Sequence, residues 1–295
     1  MITFFGTGKP FTGHNGVIQR NALKSWTLAA PESEVILFGD EEGAEQTAKE
    51  LGIRYVADVD RAAGGGPKVL RSFFDAAQRM ARYEVMCYAN CDILLMDDFY
   101  RAVSQVRESA KTFLIVGRRW DTDQPEPIDF TNVTWREQLR KRARVEGRQL
   151  GGGWIDYFCF PRGFYLEQLP ELVIGRVHWD QWLVWKAQQL GAPVVDVSSV
   201  VTAIHQNHDY GYHPAGKTGV WSDELSRRNY QLAGGRWHLR TIDDATHLLG
   251  PDGLRENPVR RKRTLERTWR TAKEQAWMTA LDWTRPLRRV MGIGR

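Results

Sequence analysis

Asn90-Cys91-Asp92 closes an apolar run that begins near Glu84, and apolar chain resumes at Ile93. A carboxylate is costly to bury without a partner, so Asp92 either caps a turn or stands at a strand's mouth and holds something positive. Residues two apart on an extended chain face the same way, which would point Asn90 and Asp92 into one crevice. A carboxylate beside a neutral amide suits a hard divalent cation whose shell is completed by phosphate oxygens. The competing reading is a turn at Asp92, with Asp97 and Asp98 capping the next helix. A second cluster is "IHQNHDYGYH", with His205, His208 and His213. Histidine is a frequent metal ligand, but HExxH and CxxC are absent, so a polar loop with one satisfied histidine is the alternative. Asp180, in "VHWDQWL", opens an amphipathic pattern. There it is either a first-turn dipole residue or a general base beside a cleft. Asp156 follows the three glycines of "GGGWIDYF" and needs a partner, which is either the cleft or an arginine such as Arg118 or Arg119. "GTGKPFTG" lacks P-loop spacing, and Pro10 follows Lys9 where Ser or Thr is required. As the exit of a first strand it can still reach a ligand.

The elements that must position these residues alternate. "MITFFGTG", "SEVILFGD", "IRYVADV" and "EVMCYANCDILL" read as strands, and so does "TFLIVGRRWD". Between them lie helical patterns such as "GVIQRNALKSWTLA" and "KVLRSFFDAAQRMAR". Such alternation indicates a parallel α/β sheet, which binds ligands beyond the carboxyl ends of its strands. Further on, "GGGWIDYFCFPRGFY" reads as a glycine turn into an aromatic strand. "PVVDVSSVVTAIHQ" reads as a strand entering the His-rich loop, and residues 214–254 as irregular.

The hydrophobic content of 42% and 12 Trp are enough for a sizeable core in a chain of 295 residues. The start of the chain lacks a secretory pattern, and no run reaches transmembrane length. Three cysteines, Cys87, Cys91 and Cys159, fit buried thiols in a reducing cytosol. The net charge of +5 is a C-terminal property. From residue 255 onward, 12 Lys/Arg against 4 Asp/Glu give +8, which leaves −3 for residues 1–254. The body therefore does not read as a nucleic-acid-binding surface.

Taken in order, "FGD", "YANCDILL", "GGGWIDYFCFPRG", "HWDQWL" and "HQNHDYGY" resemble the GT-A-fold nucleotide-diphospho-sugar transferases, close to family-2-like bacterial glycosyltransferases. The resemblance covers about residues 1–215. It implies an α/β fold of GT-A (Rossmann-like) type, with a mostly parallel central sheet flanked by helices. It also implies a divalent metal, Mn²⁺ or Mg²⁺, and a UDP- or GDP-linked donor. Asn90-Cys91-Asp92 matches the family's Asp-x-Asp motif, with Asn in place of the first Asp. Asp92 is then a metal ligand, and Asn90 contacts ribose or phosphate. Asp40 is expected at the base or ribose, Lys68 and Arg71 near the nucleotide, and Asp156 in the nucleotide-sugar site. Asp180 is expected as the catalytic base, and His205, in preference to His208, as the residue completing the metal site.

The expected organisation is a catalytic domain over 1–215, a segment over 216–254 completing it, and a basic helical extension over 255–295 that carries tryptophans. Basic residues with Trp over 258–290 suit either an anionic membrane surface or packing on the body or on a second subunit. The expected function is a hexosyltransferase-like enzyme of cell-envelope polysaccharide synthesis. It would be cytoplasmic or peripheral to the inner face of the membrane, and would act on a saccharide or lipid-linked hydroxyl. A homodimer is compatible with the chain. The alternatives are a nucleotidyltransferase that makes a nucleotide sugar, for which "GTGKPFTGH" is a poor match, and a degenerate, non-catalytic binding protein.

Overall fold

The computed structural model describes residues 1–209 and 216–259. Its strands are β1 (Thr3–Thr7), β2 (Glu34–Phe38), β3 (Arg54–Val56), β4 (Val85–Ala89), β5 (Ile93–Leu94), β6 (Leu114–Val116), β7 (Arg119–Thr122), β8 (Arg148–Gln149), β9 (Tyr157–Pro161), β10 (Val194–Asp196), β11 (Ala203–Gln206), β12 (His247–Gly250) and β13 (Gly253–Glu256). Its helices are α1 (Gly13–Ala29), α2 (Ala44–Leu51), α3 (Leu70–Met80), α4 (Asp97–Ser109), α5 (Trp135–Val145), α6 (Trp179–Gln189), α7 (Gly216–Ser222) and α8 (Glu224–Leu232).

The large sheet runs β13-β12-β10-β6-β9-β4-β1-β2-β3. β9 is antiparallel to both β4 and β6, whereas β3-β2-β1-β4 and β6-β10-β12 pair in parallel. The expected mostly parallel α/β sheet with flanking helices is therefore present. Its central strands are buried on both faces, and alternate residues serve opposite layers. Phe4, Leu37 and Cys87 pack with Leu23 and Trp26 of α1 and Phe99 of α4. Phe5, Ile36, Met86 and Tyr88 pack with Phe73 and Phe74 of α3 and Leu183 of α6. Each such side chain contributes about 1.5–3 kcal/mol by leaving water.

Several expectations are corrected. "EVMCYANCDILL" is not one strand. β4 stops at Ala89, Asn90 to Asp92 form a turn closed by the Ile93 amide donating to the Asn90 carbonyl at 3.0 Å, and β5 leaves for another sheet. That second sheet runs β5-β11-β7-β8. "TFLIVGRRWD" and "PVVDVSSVVTAIHQ" divide in the same way, each supplying one strand to each sheet. Residues 216–254 are not irregular, because they hold α7, α8, two short 3₁₀ turns, β12 and the first half of β13. The region Met1–Arg255 forms one compact unit. Glu256–Arg295 forms a second, of which residues 256–259 are described. The expected basic, Trp-containing helix falls almost wholly outside the described residues, as does His213. Among the described residues no helix is long and apolar enough to cross a membrane. All three cysteines are buried thiols, as expected.

Candidate functional site

The break after β4 is what creates the site. Because β9 runs antiparallel to β4, with Ala89 opposite Tyr157, the residue entering β9 meets the residue leaving β4. Asp156 therefore faces Asn90, whose amide nitrogen donates to the Asp156 carbonyl at 2.9 Å. The Asn90 side chain is fully engaged: Nδ2 donates to Asp156 Oδ1 at 2.9 Å, and Oδ1 accepts from the Tyr88 hydroxyl at 2.8 Å. Arg119, buried at the start of β7, donates to Asp156 Oδ1 at 2.7 Å and forms an ion pair with Asp121 at 2.9 Å. Asp156 Oδ2 is left buried without a hydrogen-bond partner. Asp156 thus takes both expected roles, paired with Arg119 rather than Arg118 and also lining the cavity.

The second sheet places the histidines. β11 pairs with β5, setting His205 opposite Ile93, and with β7, setting it opposite Asp121. The Gln206 amide donates to the Asp92 carbonyl at 3.1 Å, locking the turn to β11. His208 Nε2 then stands 3.0 Å from Asp92 Oδ2, and His205 Nε2 stands 3.9 Å from the same oxygen. One ligand atom from each of Asp92, His205 and His208 lies within 4.8 Å of the others. Asp92 Oδ1 is buried with no hydrogen-bond partner. Burial pushes the Asp92 carboxyl up, yet the His208 hydrogen bond and the charges of His205, His208 and Lys9 hold it well below the usual carboxylate range. A carboxylate with an open lone pair beside two imidazoles is a donor set that could hold a divalent cation.

These groups open into one cavity of about 680 Å³ at the carboxyl edge of the large sheet. The exit of β1 supplies Thr7, Gly8 and Lys9 to its wall. Lys9 Nζ lies 3.1 Å from His208 Nε2, and burial lowers the Lys9 pKa despite the opposing pull of Asp92. Lys68 reaches the wall from just before α3, donates to the Gly8 carbonyl at 3.2 Å and pairs with Glu41. Gly39 permits this approach. Its φ is +109°, and a Cβ there would collide with Glu41 and Lys68.

Asp180 sits in the first turn of α6, half-buried, and lines the same cavity. Burial pushes its carboxyl up to about 7. The charge of Asp156 adds to that rise, and backbone N–H groups at Gln181, Asp180 and His178 oppose it. Two residues before Asp180, His178 stands at the N-cap of the helix with φ +84°, a left-handed conformation uncommon outside glycine.

Of the residues singled out in the sequence, Lys68, Asn90, Asp92, Asp156, Asp180 and His205 all line this cavity. The structure does not bring Asp40 and Arg71 to its wall. Asp40 lies exposed beyond β2, paired with Arg61, and Glu41 takes the wall position instead. Arg71 lines a separate polar cleft with Asp58 and Asp60. Lys9 and His208 join the cluster. Lys9 was legible only as the exit of a first strand, and His208 only as one of three nearby histidines.

No family model matches the chain, and no curated protein matches it. Solved structures similar to it include S. aureus TarS, with 12% identity and a TM-score of 0.47 over 70% of this chain and 36% of that one. A mannosyltransferase from Pyrobaculum calidifontis, in complex with GDP-Man and Mn²⁺, shares 15% identity at a TM-score of 0.45, covering 72% of this chain and 58% of that one. Glucosyl-3-phosphoglycerate synthase from Mycobacterium tuberculosis, in complex with Mg²⁺ and UDP, shares 15% identity at a TM-score of 0.46, covering 80% of each chain. The chain spans about a third of the TarS structure and under two thirds of the mannosyltransferase.

Proposed function

We propose that the chain is a glycosyltransferase that moves a sugar from a nucleoside-diphosphate donor, UDP- or GDP-linked, to a hydroxyl of a saccharide or lipid-linked acceptor. One observation carries this reading. The Asp92–His205–His208 cluster and the Asp180 carboxyl, poised near 7, open into the same cavity at the sheet's carboxyl edge. Asp92, His205 and His208 would hold a divalent cation, Mn²⁺ or Mg²⁺. When bound, the cation supplies charge neutralisation at the diphosphate.

The chain's own residues do the rest. Lys9 and Lys68 give the diphosphate end of the cavity a positive wall. Asp156 Oδ2 accepts a hydrogen bond from a donor hydroxyl, which satisfies its open lone pair. Asp180 takes the proton from the acceptor hydroxyl as that oxygen attacks the anomeric carbon and the anomeric C–O bond to the diphosphate breaks, releasing the nucleoside diphosphate. A carboxyl near 7 is matched to such a transfer, and this role makes the transfer inverting. Asn90 does not disarm the site, because it anchors Asp156 rather than coordinating the ion. That speaks against a degenerate binding protein.

The test is release of nucleoside diphosphate from a panel of UDP- and GDP-sugars with Mn²⁺, with and without saccharide acceptors, by the wild type and Asp180→Asn. Acceptor-stimulated release from one donor, reduced about 10³-fold or more in the variant, is expected. Undiminished release by the variant would remove Asp180 from the mechanism.

A further inference from the structure

Beyond Asp180 the cavity wall changes character. Trp154 and Trp221 line it with their ring centroids 5.6 Å apart and their planes inclined by 59°. Trp221 is 50% exposed, an unusual setting for so large an apolar side chain, and it stands at the rim of the cavity that holds the catalytic carboxyl.

Both rings are held by their own framework. The Arg119 guanidinium, fixed by Asp156, lies 5.1 Å over the Trp154 ring. The turn that carries Trp154 is pinned because the Ile242 amide donates to the Gly152 carbonyl at 2.9 Å. At Gly152 a Cβ would fall 2.7 Å from the Asp243 carboxylate, so the turn packs tightly there. Trp221 lies in the last turn of α7, and Asp223, just after that helix, accepts from Arg176 Nε at 2.6 Å and from the Ser226 amide at 2.8 Å. The Ser226 hydroxyl donates to the Val220 carbonyl at 2.6 Å. The result is an aromatic corner, part exposed at Trp221, that lines the same cavity as Asp180.

We infer that this corner is the acceptor subsite and that it selects a pyranose ring, whose apolar C–H face lies against an indole while a ring hydroxyl reaches Asp180. This rests on the transferase reading and adds the class of acceptor. A flat, rigid, amphipathic ring pair matches the flat, amphipathic shape of a sugar. The ordering entropy is reduced because the Trp154 ring already lies under the Arg119 guanidinium.

The experiment is saturation-transfer NMR of the full chain with methyl β-D-glucopyranoside, methyl α-D-mannopyranoside and methyl β-D-galactopyranoside. An alkyl phosphate serves as the comparison probe, and the wild type is compared with Trp221→Ala, Trp221→Phe and Trp154→Phe. The expected result is transfer from protein aromatic protons to the ring C–H protons of at least one pyranoside. That contact should weaken about tenfold in Trp221→Ala and be largely retained in Trp221→Phe. Equal transfer in Trp221→Ala, or transfer only to the alkyl phosphate, would overturn the inference. A parallel titration with UDP and GDP reads the donor half separately. Nucleotide binding without a Trp-dependent sugar contact sinks the acceptor subsite alone. A Trp-dependent sugar contact without nucleotide binding leaves a pyranose-binding corner but overturns its assignment as an acceptor subsite together with the donor assignment. Absence of both overturns both.

Discussion

Two aspartates of the cavity are pushed in opposite directions. Asp92 is held low by His208, His205 and Lys9 against its burial, whereas Asp180 is raised to about 7 by burial, with Asp156 adding to the rise. Pairs separated in this way divide labour, one staying ionised and the other exchanging protons near neutrality. The kcat/KM for transfer is expected to rise with pH up to about 7 and then level, because Asp180 must be ionised to accept a proton. A profile flat from pH 5 to 9 would contradict that role. Asn90 yields a second expectation. Its Nδ2 donates to Asp156 Oδ1, so Asn90→Asp sets two carboxylates against each other. That substitution should cost about 1–3 kcal/mol in urea unfolding at pH 7, even though it restores an Asp-x-Asp sequence. A variant as stable as the wild type would show that Asn90 is not the anchor of Asp156.

At the level of elements, the site depends on two sheets being locked together after β4 ends. Gln206, fully buried on β11, does much of the locking. Its Nε2 donates to the Ile18 carbonyl of α1 at 2.8 Å and to the Asp92 carbonyl at 3.2 Å, and its Oε1 accepts from Asn21. Gln206→Ala should lose about 2–4 kcal/mol of stability and also weaken metal-dependent nucleotide binding. Loss of stability with unchanged binding would mean that the turn at Asp92 keeps its place without β11. Much of this architecture was legible in the sequence. β1 and β2 read as short apolar runs, α3 carries the helical period, and Asp180 sits where the pattern of α6 begins. Three features were hidden. The break between β4 and β5 falls inside one continuous apolar run, and nothing local marks the change of sheet. His208 reaches Asp92 only because β11 pairs with β5, a contact between residues 116 apart. Asp40 and Glu41 are neighbours of the same charge, and nothing local marks that Glu41 turns to Lys68 while Asp40 stays exposed with Arg61.

For the whole molecule, these aspartates shape stability against pH. Asp180 has a folded value near 7, against an ordinary 3.8. Between those values the native state binds more protons than the unfolded state, so Asp180 lowers stability as pH rises from about 4 to 7, by on the order of 2–4 kcal/mol in all. Asp92 acts in the other direction. Its folded value is depressed, so its contribution is present above the ordinary carboxylate value and is lost as pH falls. Asp180→Asn should therefore raise Tm at pH 8 and change it little at pH 4, while abolishing transfer. This is the expected exchange of stability for function at an active site. The central claim, that the turn after β4 holds a cation for a nucleotide, is tested most directly by calorimetric titration with UDP and GDP. Each is added with Mn²⁺ or with EDTA, to the wild type and to Asp92→Ala. The transferase reading predicts that one nucleotide binds with Mn²⁺, binds at least tenfold more weakly with EDTA, and loses its metal dependence in Asp92→Ala. Binding of neither nucleotide in the presence of Mn²⁺, or equal binding by Asp92→Ala, would contradict it.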